Sequence, residues 1–261
     1  MTRVYERIRV TREGAVETIV LCNPARRNAI GPRMANELLW ALEDARAADD
    51  VRAVVLTGDG EAFCSGGDFA EMRSPSAAAH ETLPHKGDFA DLMLALSNSD
   101  KPVVARVNGH ALGGGLGIVA ACTFAVASTE AKFGTPEIGV GLFPMIIMAV
   151  LSRHVPRRRL IEMMLMGETF GASEAERLGL VNRAVARERL DAEVKAIADA
   201  LATKSASTMR LGLRAFAAQD DLDLEQALPL LRERLAECLA TEDALEGLTA
   251  FIEKRPPRWR H

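Results

Sequence analysis

The chain has 261 residues, 48% hydrophobic and 26% charged, with a formal net charge of −4, a pI of about 5.8 and a mean hydropathy of +0.03. That length suits one large domain, or one domain with an appendage, around a substantial core, and the acidic balance argues against a general binder of nucleic-acid backbones, whose footprint is basic. Four scattered cysteines (Cys22, Cys64, Cys122, Cys238) without a CxxC, the lack of a secretory leader and the lack of a membrane-length apolar run point to a cytoplasmic protein with reduced thiols.

Alternating apolar residues over 8–21, split by Arg12-Glu13-Gly14, predict a β-hairpin that ends at Asn23-Pro24. Met34, Leu38, Leu39, Leu42 and Ala45 recur at helical spacing and predict an amphipathic helix over 32–48. The stretch 53–58 reads as a short buried strand, 59–68 as a glycine-rich loop, and 69–88, weak in apolar signal, as a mobile or ligand-covering loop. A helix over 88–98 leads to a strand at 102–107, followed by the run Gly113-Gly114-Gly115-Leu116-Gly117 and a helix. The stretch 111–127 is the most apolar and reads as a packed core helix, with a strand at 123–128. This alternation predicts an α/β fold with a mostly parallel sheet. Past Pro156 the pattern is almost wholly helical, at 157–166, 173–178, 187–203, 205–219 and 223–253. The change of character near 200 divides the chain into a core domain, 1–200, and a C-terminal helical region, 201–261.

Three consecutive glycines beside a helix are unfavourable for folding, because glycine loses the most backbone freedom; taken alone they mark a tight strand-to-helix turn. A second pair, Gly66-Gly67, follows another strand in a similar place. If the two turns converge, two backbone amides form an oxyanion hole, in which each donor is worth roughly 3–4 kcal/mol. Glu137, after Pro136, suits the first turn of a helix, yet its apolar neighbours Phe133, Ile138, Val140, Leu142 and Phe143 would desolvate the carboxylate and suit it to proton transfer. Asp68 and Glu71 read as loop or helix caps, His110 as a packed or hydrogen-bonded wall residue, and the cluster Arg153, His154, Arg157, Arg158, Arg159 as a solvated helix face. Met145, Met148, Met163, Met164 and Met166 read as core or as a greasy pocket wall. There is no metal-spaced His/Cys set, no GxSxG and no Walker loop, so no metal is expected.

Five segments in order resemble the enoyl-CoA hydratase/isomerase (crotonase) family: 23–29 (NPARRNA), 62–69 (AFCSGGDF), 101–115 (KPVVARVNGHALGGG), 133–141 (FGTPEIGVG) and 251–257 (FIEKRPP). The resemblance runs over almost the whole chain. It implies a crotonase-like spiral of ββα units, a C-terminal helical region that builds a homotrimer or a dimer of trimers, and an acyl-CoA thioester substrate, with coenzyme A entering as part of the substrate and no separate cofactor. Carried over by position, the amides of Gly67 and Gly114 would hold the thioester oxygen. Arg26, Arg27 and Ala29, with Ser65, Asp68 and Phe69, would cradle the adenine and pantetheine; Pro136 joins the substrate site, and Phe251 and Lys254 would complete it, on a neighbouring subunit.

Family hydratases carry two glutamates, one on the helix after the glycine run and one after the proline. Here the first position is Gly117 and only Glu137 remains. Gly117 lies three residues past Gly114, so its face of the helix is expected to look into the site. One glutamate favours a one-base shuttle in which Glu137 removes a proton from C2 of a 3-enoyl-CoA and returns it at C4, an isomerase. The alternatives are a hydratase with a non-standard second acid, or a thioester hydrolase. The 3-hydroxyisobutyryl-CoA hydrolases share the pattern of 113–117 and 141–144, but follow that last proline with a catalytic aspartate where this chain has Met145. A non-catalytic acyl-CoA-binding or RNA-binding homologue is the reading from a different class; the acidic balance and intact Glu137 weigh against it.

Overall fold

The computed structural model describes residues 3–73 and 83–259. Ten strands and eleven α-helices occur among them: β1 Ile8–Glu13, β2 Val16–Leu21, α1 Pro32–Ala47, β3 Ala53–Gly58, β4 Ala62–Cys64, α2 Phe69–Met72, α3 Phe89–Ser97, β5 Val103–Val107, β6 His110–Leu112, α4 Gly114–Ala121, β7 Phe124–Ser128, β8 Lys132–Gly134, α5 Met145–Leu151, α6 Arg157–Met166, β9 Thr169–Gly171, α7 Ala172–Arg177, β10 Arg183–Val185, α8 Leu190–Ala202, α9 Ala206–Gln219, α10 Leu224–Leu239 and α11 Glu242–Ile252.

The strands form two sheets, ordered β1-β2-β3-β5-β7-β10 and β4-β6-β8-β9. Three successive turns of chain each give one strand to the large sheet and the next to the small one: β3 then β4, β5 then β6, β7 then β8. In each sheet these strands are parallel neighbours. That is the spiral of ββα units expected from the resemblance. Both faces of the large sheet are covered, which is why its central strands read as continuous apolar runs. Val54, Leu56, Val103, Ala105 and Val107 enter the main core, while Val55, Val104 and Val126 pack against Leu190, Val194 and Ala198 of α8. α9, α10 and α11 follow as a helical region, pinned to the rest where Arg214 pairs with the buried carboxylate of Asp100.

Several expectations need correction. The loop over 59–68 contains β4, and the helical stretch past Pro156 contains β9 and β10. The apolar stretch 111–127 is not one helix but β6, the eight-residue α4 and β7. The helix over 223–253 is two, because Thr241 opens α11 with its side chain accepting from the Ala244 amide. The helix over 187–203 begins as a 3-10 turn, with α8 proper starting at Leu190. The loop over 69–88 opens with α2, and its 74–82 portion lies outside the described residues.

Candidate active site

β4, β6 and β8 run parallel side by side, with Cys64 opposite Ala111 and Leu112 opposite Gly134. Their C-terminal ends therefore lie at one edge, where parallel sheets place ligands. Gly67 follows β4, Gly114 follows β6 and Glu137 follows β8, each within three residues of its strand. The convergence that sequence left open is a consequence of this pairing. The Gly113 amide donates to Gly134 O (2.9 Å), tying the second turn to the third. A Cβ at Gly66 would rest 3.4 Å from Leu112 O, so the first turn lies against the second.

Among the described residues no backbone acceptor takes the amide of Gly67 or Gly114. Gly114 is the first residue of α4, where an amide has no partner within the helix and the dipole favours negative charge. Gly113 adopts φ +49°, a conformation that glycine alone takes without strain. A Cβ there would also stand 2.5 Å from Glu137 Oε1, so the carboxyl group rests directly on this turn. Gly115 lets α4 approach β4, because a Cβ would lie 2.8 Å from Cys64 Cβ.

Glu137 sits in a 3-10 turn over Pro136–Val140. Its Oε2 is buried without a hydrogen-bond partner, and burial pushes its pKa above the ordinary glutamate value. The carboxylate, Gly67 and Gly114 line one cleft of about 420 Å³, whose other walls are almost wholly apolar: Ile30, Pro32, Phe69, Met72, Phe89, Leu142, Phe143, Met145, Ile146 and Ile147. The remaining carboxylate there, Asp88, is engaged in capping α3 through the amides of Ala90 and Asp91. Cys64, next to the first turn, is fully buried, and burial raises its thiol to about 11, which disfavours the thiolate.

Gly117 does not look into the cleft. A Cβ there would lie 2.8 Å from Ile147 Cβ and 3.5 Å from Met93 Sδ, so side chains of α5 and α3 occupy the place its own would take. The expectation that this face of α4 opens on the site fails because α3, α4 and α5 pack on one another at that point.

Of the other expected site residues, Phe69 lines the cleft and Pro136 does not. Arg26 forms an ion pair with Asp68, whose carboxylate also accepts from the Glu71 amide. Burial pushes Asp68 upward, but Arg26 and that amide hold it below the usual carboxylate range. Ser65 bonds back to Arg26 O through its hydroxyl and to Arg27 O through its amide, and Ala29 is half-buried beside them. Arg27 lines a separate polar cleft with Asp59, His110 and Arg187. Phe251, 83% exposed, and Lys254 do not line the cleft of their own chain. His110 is exposed, its Nδ1 accepting from the Lys132 amide at 3.3 Å.

Two residues carry more than their sequence context suggested. Glu71 packs against the start of α1, whose cap position is Gly31: a Cβ there would meet Glu71 Cδ at 2.6 Å, so only glycine leaves room for the carboxyl group. That contact fixes the segment bearing Gly67 and Phe69 against α1. Ile147 is the other; an Ile inside the apolar run 145–151 gave no signal, because its role depends on which helix it meets.

Among the described residues no cluster of His, Cys, Asp and Glu is placed to hold a metal ion, and no helix is long and apolar enough to cross a membrane.

A family model described as enoyl-CoA hydratase/isomerase matches residues 11–261. A putative enoyl-CoA hydratase of Thermus thermophilus is 37% identical over 95% of this chain and 98% of its own length. The rat mitochondrial enoyl-CoA hydratase domain-containing protein 3 is 35% identical over 96% of this chain and 83% of its own. The crystal structure of a Mycobacterium smegmatis enoyl-CoA hydratase superposes with a TM-score of 0.90 at 35% identity, covering 98% of this chain and 100% of that one.

Proposed function

This chain belongs to the enoyl-CoA hydratase/isomerase family of acyl-CoA enzymes, and we propose that within it the protein shifts the double bond of 3-enoyl-CoA thioesters to the 2-position, with Glu137 as the single acid–base. One observation carries this reading: among the described residues lining the cleft, Glu137 alone offers a buried carboxylate oxygen without a partner, whereas Asp88 is exposed and caps α3 through its Oδ1. The thioester oxygen would accept from the amides of Gly67 and Gly114. Glu137 then takes a proton from C2, and the C2–H electron pair passes into a dienolate whose charge the two amides and the α4 dipole stabilise. The same carboxyl group returns the proton to C4, leaving the conjugated 2-enoyl thioester. No water is consumed. The relatives named as hydratases share the fold, and the hydratase reaction would require a second group to hold water.

The coenzyme A portion would leave by way of Arg26, Arg27, Ala29 and Ser65 at the edge of the first turn. Incubation with 3-hexenoyl-CoA and crotonyl-CoA tests the reading by absorbance of the conjugated thioester. An isomerase creates the signal from the first and leaves the second unchanged; bleaching of crotonyl-CoA at the rate of any isomerisation, or release of free thiol, overturns it.

We further infer a homotrimer or a dimer of trimers, in which Phe251 and Lys254 serve a neighbouring chain's site. Leu224, Leu228, Leu235 and Leu239 recur along α10, each at least 57% exposed, a stripe that a lone chain has no reason to leave in water. Light scattering on the eluting protein should give the mass of three or six chains, and a monomer at micromolar concentration would refute this assembly.

A further inference from the structure

Ile147 occupies the wall where the chemistry could admit water. It is 3% exposed, on α5, and lines the cleft beside Glu137. It also fills the place of a side chain at Gly117, one turn along α4 from the free amide of Gly114. Met93 Sδ backs the same point. A bound water needs two to four polar partners; on this wall Glu137 supplies one and the neighbouring side chains Phe143, Met145 and Ile146 supply none.

We propose that Ile147 is the specificity-determining residue of this site: it denies water a second partner beside the reacting carbons, so that a proton taken from C2 is handed on inside the cleft and hydroxide is not delivered to C3. The inference rests on the single-base reading of Glu137. It adds a distinct claim, that the choice between moving a proton and adding water is set by one apolar side chain on α5. In the balanced alternative, water would give its hydroxyl to C3 and a proton to C2 across the double bond. That step needs a water held by two groups at once.

Ile147→Val and Ile147→Thr test this as a pair, because Val and Thr have the same shape and differ by a hydroxyl in place of a methyl. Any loss from the smaller volume is common to both. Three rates are read for each protein: exchange of the C2 protons of butyryl-CoA in D2O, which needs only Glu137 and the two amides; hydration of crotonyl-CoA; and transfer of deuterium from C2 to C4 of 2,2-dideuterated 3-hexenoyl-CoA. The Val variant should keep the wild-type ratio of hydration to exchange and retain the label at C4. The Thr variant should raise that ratio about tenfold, the value of one regained hydrogen bond, and wash out most of the label. Equal ratios in the two variants overturn the proposal, whatever the protein does with 3-hexenoyl-CoA. If the wild type exchanges butyryl-CoA protons but moves no double bond, the isomerase reading fails while the ratio still judges Ile147. Should Ile147→Thr not fold, the wild type decides: hydration of crotonyl-CoA as fast as exchange overturns the proposal, and hydration at least tenfold slower supports it.

Discussion

Glu137→Gln is expected to slow isomerisation of 3-hexenoyl-CoA by roughly 10²–10⁴-fold, the contribution of a positioned acid–base group, and at the same time to stabilise the fold at neutral pH. Both effects have one origin. Burial raises the Glu137 pKa, so the native chain holds this proton more tightly than the unfolded chain does. The stabilisation that proton brings is complete below the unfolded carboxyl pKa of about 4.3 and is lost as pH rises through the folded value. Once pH exceeds the folded value, the native state carries a desolvated carboxylate with an unpartnered oxygen, a burden the neutral amide removes. Thermal unfolding should show a higher Tm for the Gln variant at pH 7 and matching values below pH 4. The wild-type kcat/KM should rise with pH through an apparent pKa above that of a free glutamate, since the base must be ionised to accept the C2 proton. A Gln variant within tenfold of wild type would place the base elsewhere.

The residues of this site were legible in the sequence before their meeting was. Gly67, Gly114 and Glu137 stood out because glycine runs and a carboxylate among apolar neighbours are unusual, and the order of five motifs pointed to the family. What brings them together, the three-residue strands β4, β6 and β8, left no trace, because three residues are too short for a period of two to register. The longer elements α1, β3, β5, α3 and α6 lie within a residue or two of their expected ends. The same locality explains the missed role of Ile147 and of Glu71: one fills a gap on α4 from α5, the other packs from α2 against the start of α1 at Gly31, and neither relation exists along the chain. Gly117 is the instructive case. In the sequence it stands as the loss of an acid, whereas in the folded protein it is the contact point that lets α5 close on α4.

That contact makes Gly117→Glu a second variant with a large expected effect, on stability rather than on rate. A Cβ at this position falls 2.8 Å from Ile147 Cβ and closer still to Ile147 Cγ2, and Ile147 is a β-branched side chain with little rotamer freedom in a helix. Its helix is anchored by the buried Val150 and Leu151, so neither side can yield without repacking. Overpacking alone destabilises by about 1–3 kcal/mol, and a carboxylate forced among Ile147 and Met93 adds the penalty of an unpaired charge. The gain of about 1 kcal/mol from replacing a helical glycine does not offset these. A total loss of about 3–5 kcal/mol is expected, read as a lower urea midpoint at unchanged m-value, with no hydratase activity gained. Ile147→Ala removes the nearer of the two clashing atoms, so it should be less damaging in the Gly117→Glu background than in the wild type, a coupling that a double-mutant cycle measures directly. Additive losses would mean that the two side chains do not compete for one space. In that event the single-base site would reflect the residue that happens to stand at 117; coupled losses make it a property of how α4 and α5 pack, one that restoring the acid alone does not reverse.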